Sequence, residues 1–167
     1  YGFSRCNEMA QEHWIKEYDG ALGIVLPDTV TTGHFLKTWS VKHAKLTDGF
    51  RQDSGDPIAE GEAFERKYRE MGVDPTDKIM VPSNNLTDEE AIKITKHFAG
   101  RFKGVTAGIG TNLTNDCGHK PLNMVIKMVR ANFGFGWKNV VKLSNDAGKY
   151  TGDTATIERA KAELEIA

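Results

Sequence analysis

Gly108 and Gly110 open a run in which Thr111, Asn112, Thr114, Asn115 and Asp116 supply hydroxyl, amide and carboxylate groups but almost no core-forming side chain. Two glycines one residue apart let the backbone turn sharply and approach a ligand without an intervening Cβ. Backbone amides exposed at the end of a strand suit a phosphate. An Asn/Gly-rich surface loop accounts for the same run equally well when it is taken alone. A second group, Arg51-Gln52-Asp53-Ser54-Gly55-Asp56-Pro57, changes that balance. Asp56 before Pro57 reads as a helix N-cap with proline at the first helical position. Capping explains Asp56 but not the crowding of Arg51, Asp53 and Ser54 at the same place. Sugar hydroxyls want carboxylate acceptors, and a phosphate or carboxylate wants an arginine fork. Glycine cradle, carboxylate and arginine together suit a phosphorylated ribose.

These loops have to be carried by elements, and hydrophobic patterning supplies them. Residues 7–18 place Met9, His13, Trp14 and Tyr18 at helical spacing, closed by Asp19-Gly20. The apolar run 21–26 reads as a strand buried on both faces. Residues 29–39 read as a short helix capped by Asp28 or Thr29, and 44–50 as a weaker strand. A helix follows over 59–71, with Ala59, Ala63, Phe64, Tyr68 and Met71 on one face and Gly72 at its end. Residues 78–82 form the third strand, 87–98 a helix opened by the capping box Thr87-Asp88-Glu89-Glu90, and 102–107 the fourth strand. Alternation of this kind predicts α/β structure with parallel strands. The polar loops then fall after strands two, three and four, the third being Ser83-Asn84-Asn85. Carboxyl ends of parallel strands are where such folds carry their chemistry. Beyond Pro121, segments 122–131 and 137–143 read as a strand pair joined by a glycine-rich turn, with a last amphipathic helix over 154–166.

Bulk properties narrow the classes. The chain has 167 residues, 39% hydrophobic and 27% charged, which fits one soluble globular domain. With 22 Lys plus Arg against 23 Asp plus Glu, a charge-driven role on nucleic acid or a membrane surface is not expected. No apolar run approaches the roughly 20 residues of a membrane-spanning helix, and no secretory signal is visible. Cys6 and Cys117 match no paired metal or redox spacing and read as free thiols in a reducing cytosol. No metal-ligand set is read from the sequence.

The 51–57 and 108–116 blocks resemble the hallmark segments of the nicotinate phosphoribosyltransferase family. So does Pro121-Leu122-Asn123-Met124-Val125-Ile126-Lys127. Segments 22–29 and 44–49 match in the same order and at the expected spacings, so the resemblance covers nearly the whole chain. Thr111-Asn112 stands where the related nicotinamide-using enzymes carry a glycine run, which favours nicotinate as the base. The chain departs from the family pattern at 144–149, Ser-Asn-Asp-Ala-Gly-Lys in place of Asp-Ser-Pro-Gly-Lys.

The resemblance implies an irregular α/β barrel of parallel strands, of which residues 1–120 would be the second half. Residues 121–167 would be closing strands and a C-terminal helix flanking a second domain. It implies that nicotinate displaces pyrophosphate from phosphoribosyl pyrophosphate, giving nicotinate mononucleotide in NAD salvage, with ATP hydrolysis coupled through a phosphohistidine and with Mg²⁺ present. Asp53 would contact the ribose hydroxyls and Arg51 would lie beside nicotinate or pyrophosphate, these two being the catalytic pair. Gly108, Gly110 and Thr111 would hold the 5-phosphate. Asp28, Ser54, Asp56, Asn84 and Asn112 would complete the substrate-binding set. The family's phosphohistidine lies in a Gly-Thr-x-x-His-Glu segment, and His13, His34, His43, His97 and His119 all lack that context. A chain beginning at Tyr1 is therefore expected to be the C-terminal part of a cytoplasmic enzyme. By itself it is expected to be inactive and to associate as a homodimer or with the rest of the barrel. A non-catalytic phosphosugar-binding remnant of the same fold is the alternative.

Overall fold

Four short parallel strands, laid down in chain order, form the sheet that positions everything else. The computed structural model describes residues 2–122, 124–146 and 148–166; Asn123 and Ala147, inside two of the segments singled out above, lie outside the described residues. The strands are β1 (Ile24–Val25), β2 (Gly49–Gln52), β3 (Ile79–Pro82) and β4 (Gly104–Val105). Ile24 lies opposite Gly49, Gly49 opposite Ile79, and Ile79 opposite Gly104. A parallel order needs a crossover between each pair. Here α2 (Thr32–Thr38) and α3 (Val41–Leu46) connect β1 to β2, α4 (Pro57–Glu70) connects β2 to β3, and α5 (Asp88–His97) connects β3 to β4. Helix α1 (Cys6–Tyr18) precedes the sheet. After it come the helical turn α6 (Thr111–Thr114), the antiparallel pair β5 (Arg130–Asn132) and β6 (Trp137–Asn139), and α7 (Thr154–Leu164).

Aromatic packing joins helices to sheet. Phe64 of α4 stacks on Phe50 of β2 with ring centroids 3.8 Å apart, and Trp39 meets Phe64 and Tyr68 edge-on. Phe98 and Phe102 close the same core from the α5 side. Two glycines make the approach possible. A Cβ at Gly49 would sit 1.9 Å from the Ile79 carbonyl oxygen, and one at Gly61 would sit 2.4 Å from the Phe98 ring. A second, smaller cluster of Val30, Leu143, Ile157 and Leu164 packs α7 over the loop that follows β1. There the Leu143 amide donates to the Thr29 carbonyl at 2.8 Å.

Several expectations are corrected. The segment expected as a strand over 44–50 is instead α3 followed by the start of β2. Ser40 caps this helix by accepting from the His43 amide, and the Thr47 hydroxyl closes it on the His43 carbonyl. Helix α2 is capped by Thr31, not Asp28 or Thr29. The 21–26 run pairs only through Ile24 and Val25, and Leu22, Ile24 and Leu26 are exposed. Among the described residues β1 pairs with β2 alone, and with Ile24 exposed and Val25 half-buried it is not buried on both faces. A cavity of about 560 Å³, lined by Trp14, Leu22, Ile24, Val30, Phe35 and Val141, lies beside it. The apolar segment before β5 is largely exposed, with Leu122 at 91% and Ile126 at 88%, and only its end pairs with β6. The parallel α/β arrangement agrees with expectation: among the described residues the sheet has four strands, with β1 and β4 at its edges.

Candidate active site

Because all four strands run the same way, the loops following β2, β3 and β4 emerge on one edge, as their polar composition predicts. At the end of β2, the Arg51 guanidinium donates from Nη2 to Asp53 Oδ1 at 2.6 Å and from Nε to the Ser83 hydroxyl at 2.9 Å. The Ser83 hydroxyl also lies 3.1 Å from Asp53 Oδ1 and 2.9 Å from the Gln52 carbonyl. Pairing of β2 with β3, Gln52 opposite Pro82, brings Ser83 to this position. Both contacts to Asp53 fall on Oδ1, so Oδ2 has no partner among the described residues. The Arg51 side chain is 49% exposed and that of Asp53 30%, so the pair faces solvent while remaining fixed in orientation.

The glycine loop lies on the neighbouring strand end. The Gly108 amide donates to the Pro82 carbonyl at 2.8 Å, and a Cβ there would sit 3.0 Å from Ser83 Cβ. Ile109 turns inward against the aromatic core, anchoring the loop between its two glycines. A Cβ at Gly110 would meet nothing within 4 Å. Gly110 starts α6, and the first amides of a helix lack intrahelical acceptors. Thr111 is exposed at that start, whereas the Asn112 side chain turns back to donate to the Leu86 carbonyl at 2.9 Å.

The remaining predicted residues lie behind or beside the edge. The Asn84 amide donates to the Gly55 carbonyl at 3.0 Å and so ties the β3 loop to the β2 loop. Asp56 caps α4 by accepting from the Ala59 amide at 2.7 Å. Ser54 is buried and donates to Asp28 Oδ2 at 2.7 Å; Asp28 is 1% exposed and also pairs with Lys142 at 3.2 Å. Arg51, Asp53, Gly108, Gly110 and Thr111 thus line the open edge. Asp28, Ser54, Asp56, Asn84 and Asn112 position it.

Other groups of this site carry little signal in the sequence. Ser83 stands out there only as part of a polar loop. Asn145 donates to Thr32 Oγ1 at 2.8 Å and to Glu60 Oε2 at 3.0 Å, and Asp146 accepts from the Gly55 amide at 3.1 Å. Burial pushes the Glu60 carboxyl up to about 8, with the nearby Asp28 adding to the rise and the bonds from Thr32 and Asn145 opposing it. The Lys149 ammonium holds Asp146 below the usual carboxylate range. Glu60 follows Asp56 by one helical turn and could have been read as facing the same way. The Asn145 contacts span 85 to 113 residues and left no local signal. Among the described residues no group of three His, Cys, Asp or Glu side chains is placed to hold a metal. No helix among them is long and apolar enough to cross a membrane.

Comparison with known proteins agrees with this architecture. Residues 3–167 match the model of the nicotinate phosphoribosyltransferase (NAPRTase) family. Nicotinate phosphoribosyltransferase of Chromohalobacter salexigens is 45% identical over 99% of this chain and 43% of its own length. That of Desulforapulum autotrophicum is 43% identical over 98% of this chain and 42% of its own. The crystal structure of nicotinate phosphoribosyltransferase from Porphyromonas gingivalis superposes with a TM-score of 0.94 at 45% identity, over 99% of this chain and 43% of that one. The Vibrio cholerae structure gives 0.91 at 30% identity. The chain therefore spans less than half the length of these relatives. On its sequence match and its fold, the chain belongs to the nicotinate phosphoribosyltransferase family.

Proposed function

We propose that this chain provides the phosphoribose-binding edge of an enzyme of NAD salvage. That enzyme joins nicotinate to phosphoribosyl pyrophosphate, releasing pyrophosphate and forming nicotinate mononucleotide. The observation that carries the reading is the Arg51–Asp53–Ser83 arrangement beside the Gly108–Gly110 loop. Asp53 Oδ2 accepts from the ribose hydroxyls, while Arg51 and Ser83 keep the carboxylate oriented. The exposed half of Arg51 offers its fork to the nicotinate carboxylate or to the departing diphosphate. The loop at Gly108, Gly110 and Thr111 receives the 5-phosphate. Bond making and breaking at the anomeric carbon develop positive charge on the sugar and negative charge on the leaving group. The chain's contribution is to hold both ends and to place Asp53 close to the cation.

Mg²⁺ and ATP are further parts of this proposal. Mg²⁺ commonly binds through substrate phosphates and only one or two carboxylates, and Asp53 is the carboxylate this edge would offer it. Bound there, the ion would neutralise diphosphate charge. ATP coupling rests on the family resemblance and is assigned to no residue of this chain.

Calorimetric titration with phosphoribosyl pyrophosphate, nicotinate and inorganic phosphate tests the reading. Phosphoribosyl pyrophosphate is expected to bind, and Asp53→Asn to weaken it. Equal binding by wild type and Asp53→Asn overturns the assignment. The isolated 167 residues, with both sheet edges open, are expected to form no nicotinate mononucleotide. Turnover by a monodisperse monomer contradicts that expectation.

A further inference from the structure

The turn at residues 53–56 presents Asp53 outward and is gripped from behind by groups far apart in the chain. Gln52 donates from Nε2 to the Ser54 and Gly55 carbonyls at 3.0 and 2.9 Å. Asn84 adds a third contact at Gly55, and Asp146 takes the Gly55 amide. Deeper, the Thr32 amide donates to Asn145 Oδ1 at 2.7 Å and the Thr32 hydroxyl donates to Glu60 Oε2 at 3.0 Å. Asn145 Nδ2 reaches the same Glu60 oxygen. Its backbone amide lies 3.4 Å from the Ser54 hydroxyl that donates to Asp28. Glu60 Oε1 and Asp28 Oδ1 are buried oxygens with no partner among the described residues. Lys142 pairs with Asp28, and no cation pairs with Glu60 among the described ion pairs.

We propose that Glu60, held as the neutral acid, is a positioning residue: it fixes Thr32 and Asn145 against Ser54 and so sets where the 53–56 turn presents Asp53. Two buried carboxyl groups beside a single cation ionise together only at high cost, so one keeps its proton. The paired group is Asp28, which leaves the proton to Glu60. The upward displacement of Glu60 agrees with this. The charged groups of the surrounding elements are Asp28 from the loop after β1, and Lys142, Asp146 and Lys149 from the C-terminal segment; Thr32 on α2 is neutral. Loss of the Glu60 proton strengthens the bonds it accepts from Thr32 and Asn145 but sets an unmatched negative charge beside Asp28, and the repulsion moves Glu60, with the two donors it holds, away from Ser54 and the turn. The inference rests on the reading of Asp53 as the ribose contact.

The test compares the full 167-residue wild type with Glu60→Gln and Glu60→Ala by two readouts. One is hydrogen exchange of the Gly55 amide near neutral pH. The other is calorimetric affinity for phosphoribosyl pyrophosphate at about pH 7 and about pH 9, on either side of the Glu60 transition. Glu60→Ala is expected to lose roughly tenfold of the Gly55 protection. Wild-type affinity is expected to fall about tenfold at the higher pH, and Glu60→Gln to stay flat. Unchanged Gly55 protection in Glu60→Ala, or a wild-type pH response that persists in Glu60→Gln, overturns the proposal. If Glu60→Ala does not fold, the Glu60→Gln pH profile decides alone. Absence of binding in the wild type overturns the ribose-site reading instead, and the Gly55 exchange then decides whether Glu60 positions the turn.

Discussion

Asp53 uses one carboxylate oxygen for Arg51 and Ser83, and its other has no partner among the described residues. Such an arrangement fixes a reactive group without consuming it. Replacing Asp53 by Asn keeps the shape but removes the charge that favours vicinal hydroxyls and a nearby sugar cation. Affinity for phosphoribosyl pyrophosphate is expected to fall by roughly 10- to 100-fold, with the melting temperature little changed, in paired calorimetry and thermal denaturation. Arg51→Lys keeps the charge but cannot reach Asp53 and Ser83 together through a planar fork. A weakening intermediate between wild type and Asp53→Asn is expected by the same titration. Asp53, Arg51 and the glycines were legible in the sequence because their types and spacing are unusual together. Ser83 and Asn145 were not, since serine and asparagine are common in loops and only three-dimensional proximity singles them out.

Among the elements, helices declare themselves in the sequence more plainly than strands. Helix α4 has a proline start, an Asp cap and a clear apolar face, and α5 has its capping box, so each declares itself locally. Short strands such as Ile24–Val25 and Gly104–Val105 carry too few residues for a period, and their bounds come from pairing. Phe64→Ala, which removes the ring stacked on Phe50, is expected to cost about 3–5 kcal/mol in chemical denaturation. Gly49→Ala is expected to unfold the chain or cost several kcal/mol, because its Cβ would overlap the Ile79 carbonyl of the neighbouring strand. Buried Glu60 links α4 to pH. Its carboxyl, 4.5 in the reference state, rises to about 8 in the fold, so the unfolded chain gives up this proton first as pH increases. Stability is therefore greatest below about pH 4.5 for this group and declines by roughly 1.4 kcal/mol per pH unit up to about 8. Measured against Glu60→Gln by denaturant titration across that window, the wild type is expected to lose ground as pH rises. A constant difference contradicts the assignment.

For the whole molecule, an open sheet is the dominant fact. Among the described residues β1 and β4 each pair with one strand only, and the segment before β5 exposes Leu122, Met124, Val125 and Ile126. Open edges and contiguous apolar surface favour association. Sedimentation velocity is expected to show concentration-dependent assembly, and a monodisperse monomer over the accessible range contradicts this. By itself the sequence determined the α/β alternation, the loops that carry polar chemistry, the Arg51, Asp53 and Gly108–Gly110 groups, and the family. These follow from local periodicity, caps and residue types at fixed spacing. Tertiary structure alone decided that β1 is an edge, that residues 41–46 are helical, and that Ser83 orients Asp53. It also decided that Asp28 and Ser54 lie buried behind the turn while Asn145 and Glu60 join it from 85 residues apart. Those outcomes depend on which strand pairs with which and on burial shared between distant segments, and no local pattern encodes either.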